Sequence, residues 1–259
     1  MKIVVIASGS SGNATYIETK AGVKILIDAG VSYAQIVKRL KNQGITLGSL
    51  DAIIISHEHT DHTKSLSVLL EETGATLYIN KLSYNNLEAK ILNSIEEYPI
   101  TFIQEEVRYQ IKDLMFMPLL LSHDAANTFG FVFENEGKSL GYITDTGVVP
   151  LKYLPILARM NVLIIESNHD VEMLMNSRRH WSLKRRILSP YGHLSNQMCS
   201  EILRSVISEH TKYVILAHIS KECNSYELAY HHNIKNLKDE HQIELLVARQ
   251  EEELEIITL

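Results

Sequence analysis

Cysteine is nearly absent: Cys199 and Cys223 are the two in 259 residues, and their spacing suggests no disulfide framework. The sequence therefore reads as that of a reduced, cytoplasmic protein whose cysteines are small apolar fillers. Long apolar runs are missing as well. No uninterrupted stretch reaches the length that spans a bilayer, and the run Met1-Lys2-Ile3-Val4-Val5-Ile6-Ala7-Ser8-Gly9-Ser10 meets glycine too early for a signal peptide. It reads as a first strand. Nor is there an excess of basic charge. The net charge of −6 argues against bulk attraction to nucleic acid, although bound divalent cations and a local basic patch can reverse the sign where it matters. With no usable repeat and no low-complexity linker, one domain is the economical reading of this length. The apolar share of 45% and charged share of 22% are those of an ordinary globular protein, which excludes a disordered or fibrous class.

What the chain does have is a repeated design, an apolar run that stops at a polar residue capable of chemistry. Lys24-Ile25-Leu26-Ile27 stops at Asp28, Ala52-Ile53-Ile54-Ile55 at Ser56-His57, and the run through Leu121 at Ser122-His123-Asp124. Leu140 to Thr144 stops at Asp145, Val162 to Ile165 at Glu166, and Tyr213 to Ala217 at His218. Near-continuous apolar strands are buried on both faces, which predicts an α/β fold with helix-covered sheets. Ligand sites in such folds gather outside the strand ends. Helices are expected over 33–42, 63–72, 82–95, 150–159, 196–210 and 225–238, with Asn196 and Ser225 as N-caps. Further β segments are expected over 14–18, 107–111 and 130–134.

The densest chemistry is Ser56-His57-Glu58-His59-Thr60-Asp61-His62. Alternate side chains of an extended segment share a side, so His57 and His59 converge on one cation. Asp61 and His62, at the start of a helical turn, aim at a second cation, which suggests a two-metal site. Imidazoles and carboxylates suit zinc, manganese or iron, and the lack of placed thiolates removes a strong preference for zinc. A metal pair activates water to hydroxide near neutral pH, and Asp61 is placed to orient that hydroxide or accept its proton. Two further segments carry two readings each. The loop Ser8-Gly9-Ser10-Ser11-Gly12-Asn13 either serves a turn or offers backbone N–H groups and Asn13 to a phosphate. The segment holding Arg178, Arg179, His180, Trp181, Lys184, Arg185 and Arg186 is either an ordinary basic helix face or a grip for phosphates with an indole to stack on a base.

Together these residues resemble the metallo-β-lactamase-fold hydrolases, whose His-x-His-x-Asp-His stretch is followed by a distant His, an Asp and a last His. Here the places are filled by His57, His59, Asp61, His62, His123, Asp145 and His218. The resemblance implies a four-layer αββα sandwich spanning residues 1–259 as a single domain, without the insertion of the β-CASP kind. It implies one metal held by His57, His59 and His123, another by Asp61, His62 and His218, Asp145 bridging them, and Asp28 fixing the histidine loop through hydrogen bonds. The hydroxide bridging the pair would be the nucleophile. In the phosphodiesterase branch, Glu166 would hold His193, which donates a proton to the leaving oxygen; the alternative for His193 is a structural place at a helix entry.

Glu166-Ser167-Asn168-His169-Asp170, Arg186-Ile187-Leu188-Ser189 and Gly192-His193-Leu194-Ser195-Asn196 narrow the likeness to the YycJ (WalJ) exonuclease group. That implies 5′ to 3′ action on double-stranded DNA linked to DNA repair, with Asn13, Ser195, Arg185 and Arg186 contacting substrate. Two other readings stand beside it, a hydrolase of a small phosphodiester or thioester, and a regulatory protein with structural metals.

Overall fold

The computed structural model describes residues 1–235, 237 and 242–259. They form two compact units, one of Met1–Pro118, Ala125–Phe129 and Gln250–Leu259, the other of Leu119–Asp124 and Gly130–Arg249. In chain order the elements begin β1 (Lys2–Ala7), β2 (Ala14–Glu18), β3 (Lys24–Ile27), α1 (Tyr33–Asn42) and β4 (Ala52–Ile54). Next come α2 (Thr60–Thr63), α3 (Leu66–Thr73), β5 (Thr76–Asn80), α4 (Lys81–Asn85), α5 (Ala89–Ile95), β6 (Ile100–Ile103), β7 (Tyr109–Ile111) and β8 (Leu114–Leu121). The second half adds β9 (Thr128–Asn135), β10 (Lys138–Ile143), a 3-10 turn (Leu151–Tyr153), α6 (Leu154–Leu157), β11 (Val162–Glu166), α7 (Val171–Asn176) and α8 (Trp181–Ile187). It closes with α9 (Asn196–Val206), β12 (Tyr213–Ala217), α10 (Tyr226–Ile234), β13 (Glu244–Val247) and β14 (Ile257–Thr258). Two seven-stranded sheets result, ordered β14-β1-β2-β3-β4-β5-β6 and β13-β12-β11-β10-β9-β8-β7. The α/β class read from the sequence holds. Among the described residues no helix is long and apolar enough to cross a membrane.

Strand direction explains where the polar ends collect. β3 and β4 are parallel neighbours, Ile27 beside Ile54, so Asp28 and the Ser56-His57 segment leave the first sheet at one edge. In the second sheet β10, β11 and β12 are parallel, with Ile143 beside Ile165 and Glu166 beside Ala217. Asp145, Glu166 and His218 therefore emerge together. Apart from the first residues of β3, β10 and β12, the strands feeding these ends are buried, Ile25 to Ile27, Ala52 to Ile55 and Val162 to Ile165 among them, as two-sided burial requires.

Helix α1 follows its expected bounds, because Ser32 and Gln35 close a capping box around its first turn. The helix expected over 63–72 is two. Ser65 interrupts it, its Oγ donating to the carbonyls of Ala29 and Val31 at 3.1 and 2.6 Å, a tie to a distant part of the chain that competes with continuing the helix. The 82–95 helix also divides, into α4 and α5, and the 150–159 segment is a 3-10 turn followed by the short α6. The N-cap expected at Asn196 is Ser195, whose Oγ accepts from Met198 N–H at 3.2 Å, while Ser225 caps α10 as expected. Of the end of the helix expected over 225–238, Asn236 and Lys238 lie outside the described residues. Cys199 and Cys223 are free and buried.

Candidate metal centre

In the first unit the histidine motif leaves β4 in an extended segment and turns into α2, so that its side chains converge. His57 Nε2 and His59 Nδ1 are 3.0 Å apart, close to the edge of about 3.3 Å that a tetrahedral site with ~2.0–2.1 Å bonds presents. His62 Nε2 lies 3.6 Å from Asp61 Oδ2, and the His57 and His62 rings are 4.1 Å apart. A buried carboxylate organises the group. Asp28 accepts from His62 Nδ1 at 2.8 Å and from the Ser56 N–H and Oγ at 2.8 and 2.9 Å. The backbone of Asp61 is clamped too, its carbonyl accepting from Asn13 N–H at 2.9 Å. Gly30 passes so close that a Cβ there would run into that same carbonyl. Asn13 itself is buried, its amide oxygen accepting from Gly9 N–H at 2.9 Å and its Nδ2 facing His62 Nε2 at 3.1 Å. It organises the loop from within.

In the second unit Glu166, fully buried at the end of β11, is the hub. Its Oε1 accepts from His193 Nδ1 at 2.7 Å and from His218 Nδ1 at 2.8 Å. Its Oε2 accepts from the N–H groups of Thr146 and Leu194 at 3.0 and 3.2 Å. Burial opposes ionisation of this carboxyl, but the His193 and His218 imidazoles outweigh it and hold the pKa well below the usual range. Asp145 Oδ1 lies 3.4 Å from His218 Nδ1, 3.9 Å from His123 Nε2 and 4.0 Å from His193 Nδ1. His123 Nδ1 donates to the Gly192 carbonyl at 3.2 Å; burial pulls its pKa down, against the pull of Asp145. The ligand atoms of Asp145, Glu166, His193 and His218 fit within 4.8 Å of one another.

The first cluster suits a divalent cation, and in the second Asp145, His123 and His218 offer ligand atoms while Glu166 is taken up by its four donors. The Nδ1 of His62, His123, His193 and His218 is held by a protein acceptor, which fixes the tautomer and leaves Nε2 as the ligand or proton-transfer atom. The donors are nitrogen and oxygen alone, as zinc, manganese or iron accept. Bound there, such ions supply Lewis acidity and lower the pKa of water. A further signature lies in the backbone. Asp28, Asp145 and His218 all take the left-handed region, with φ of 60°, 56° and 54°, a conformation that costs roughly 1–3 kcal/mol at a non-glycine residue and clusters at functional sites.

The substrate contacts read from sequence distribute differently. Ser195 is buried and caps α9. Arg185 and Arg186 are exposed on α8, and Arg186 is paired with Asp124, the residue after His123. Asp170 caps α7, accepting from Met173 N–H at 2.9 Å, whereas His169 is buried with neither ring nitrogen hydrogen-bonded. Ser56 and Asn168, whose Nδ2 donates to the His218 carbonyl at 2.8 Å, stand in the motifs without an assigned role there, and Gly30 and Thr146 stand in none. Their only signal is adjacency to a strand end that carries a ligand.

Comparison with known proteins follows the same lines. The family described as "Beta-lactamase superfamily domain" matches residues 23–219. The exodeoxyribonuclease YycJ of Bacillus anthracis is 37% identical over 225 residues, covering 87% of this chain and 84% of the relative. The exodeoxyribonuclease WalJ of Streptococcus pneumoniae is 36% identical over 230 residues, 88% and 85% of the two chains. In fold, the chain is similar to the metallo-β-lactamase fold protein YhfI from Bacillus subtilis, at a TM-score of 0.72 and 14% identity over 98% of this chain and 99% of that one.

Proposed function

Because this chain belongs to the metallo-β-lactamase-fold hydrolases, in the group of the YycJ and WalJ exodeoxyribonucleases, we propose that it is a metal-dependent exonuclease that hydrolyses phosphodiesters of double-stranded DNA. Two divalent cations, zinc, manganese or iron, would be held by His57, His59 and His123 and by Asp61, His62 and His218, with Asp145 as a ligand common to both. This assignment follows the order of the family motif along the chain. The polarity is 5′ to 3′ and the setting DNA repair, by likeness to the same group. The buried, unpaired cysteines suit the cytoplasm.

The observation that carries a phosphodiesterase reading is the Glu166–His193 pair at 2.7 Å. With Nδ1 bound to a buried carboxylate, His193 presents Nε2 as a general acid, and its side chain keeps 21% exposure for contact with substrate. Water attacks phosphorus, the bond to the leaving oxygen breaks, Asp61 takes the proton from the water and His193 gives one to the leaving oxygen. Cations held by these residues would supply charge neutralisation at the phosphate. Asp28 and Glu166 keep the imidazoles in register, and Arg185 contributes positive charge toward the polymer.

The Arg186–Asp124 pair favours a second reading. It leaves one cation fewer in the basic segment for a DNA backbone, and a small phosphodiester needs none of them. Charge reversal, Arg185→Glu, separates the two: DNA cleavage weakens and its salt slope falls, whereas hydrolysis of a small ester is untouched.

The direct test uses duplex DNA labelled at either end, incubated with added manganese or zinc and resolved over time. Stepwise mononucleotide release is expected from the wild type. His193→Ala should keep its metals and lose about 10²–10⁴-fold in rate, while His57→Ala should lose both. Metal-loaded protein that releases no nucleotide overturns the nuclease reading, and undiminished turnover in His193→Ala removes that residue from the mechanism.

A further inference from the structure

The loops that carry Asp145 and His193 share a second property, exposed apolar side chains. Val148 and Leu151, after Asp145, are 40% and 80% exposed, and Tyr191, two residues before His193, is 61% exposed. Single exposed apolar residues are ordinary. These stand on two loops in direct contact: the backbone at Gly147 packs so closely on Ser189 and Pro190 that a Cβ there would strike both.

The Tyr191 turn is tied down by backbone hydrogen bonds. Its N–H donates to Ser189 Oγ at 3.2 Å, Gly192 N–H to the Ser189 carbonyl at 2.9 Å, and His193 N–H to the Ile187 carbonyl at 3.0 Å. A Cβ at Gly192 would meet the carbonyls of Arg186 and Ile187. The aromatic ring is thus presented on a backbone already ordered, so that a ligand meeting it loses little extra entropy. Charge indicates the ligand. Arg185 is exposed on the helix leading into this turn, and a cation on the segment that presents an aromatic ring suits a nucleotide, phosphate against the one and base against the other. Consecutive Cα atoms are about 3.8 Å apart, which keeps Tyr191 within one nucleotide's reach of His193.

We propose that Tyr191 is the platform on which the base of the terminal nucleotide stacks, so that the adjoining phosphodiester is the one presented to His193. The proposal rests on the nuclease reading above. Its test is single-turnover release from the metal-loaded protein on two duplexes, whose labelled strand ends at both termini in ordinary nucleotides or in nucleotides lacking a base. Tyr191→Ala should slow release of the ordinary nucleotide about tenfold, the equivalent of a ~1.4 kcal/mol stacking contact, and Tyr191→Phe should match the wild type. On the baseless ends all three should agree. Equal rates for Tyr191→Ala and wild type on ordinary ends, equal slowing on both duplexes, or Tyr191→Phe as slow as Tyr191→Ala would each overturn the platform while leaving the nuclease intact. A wild type inert on both duplexes overturns the nuclease reading and this inference with it.

Discussion

Replacing Glu166 by glutamine is ordinarily the mildest change a carboxylate can suffer, yet here it should be severe. Both carboxylate oxygens face donors, Oε1 two imidazole Nδ1–H groups and Oε2 two backbone N–H groups. Turned one way, the amide NH2 of Glu166→Gln meets the two backbone N–H donors; turned the other, it meets two imidazole Nδ1–H groups unless both rings change tautomer and give up Nε2 as a metal ligand. Each buried donor left without an acceptor costs about 1–3 kcal/mol, so the pair loses roughly 2–6 kcal/mol. Relief from burying a charge offsets part of that, leaving a net loss of about 3 kcal/mol out of a typical total of roughly 5–15 kcal/mol. Urea denaturation at neutral pH measures it. The pH dependence supplies a second check. Glu166 ionises well below the usual carboxylate range, so its contribution is fully present above the unfolded value of about 4.3 and is lost as pH falls through the folded one. The gap between wild type and Glu166→Gln should therefore narrow on acidification. Turnover should fall at least 10²-fold, because His193 loses the group that fixes its tautomer. A variant within about 0.5 kcal/mol of the wild type, with a gap independent of pH, would refute the shared-acceptor argument.

Three other changes probe the same framework. Burial pushes the His169 pKa down to about 4, so the unfolded chain takes up its proton first as pH falls. Relative to pH 7, the wild type should lose about 2 kcal/mol at pH 5 that His169→Leu keeps, and parallel urea midpoints of the two proteins across that interval would dismiss the effect. Asp28→Asn should retain the circular dichroism of the wild type and weaken metal affinity about 10–100-fold, read by competition with a chromophoric chelator; undiminished affinity would show that Asp28 does not orient His62 as a ligand. Gly30→Ala forces a Cβ onto the Asp61 carbonyl and should lower the Tm by several degrees, about 2 kcal/mol or more for a shift of the local backbone, and an unchanged Tm would mean that the Asp61 turn yields freely.

How much of this was legible in the sequence depends on the physics behind each feature. Strands buried on both faces must be apolar almost without interruption, so the ends of β3, β4, β10, β11 and β12 announce themselves by the polar residue that breaks each run, and the α/β class follows. The bounds of α1 were legible because a capping box is a local device. The division of the 63–72 helix was not, since Ser65 is drawn away by the carbonyls of Ala29 and Val31, partners more than thirty residues upstream. The same holds for Glu166. The resemblance to the phosphodiesterase branch could pair it with His193, but that one oxygen also receives His218, and that the other receives two backbone N–H groups, depends on three parallel strands ending at one edge. The left-handed backbone of Asp28, Asp145 and His218 is the clearest case. Propensity would place glycine or asparagine there, so a sequence reading finds no sign of the turn. Retention of aspartate and histidine at a strained conformation means that the side chain matters more than the strain, which makes substitution by glycine at these three positions an informative opposite. Asp145→Gly should relieve backbone strain and raise the stability of the metal-free protein while abolishing metal binding, a separation that a merely structural aspartate would not produce.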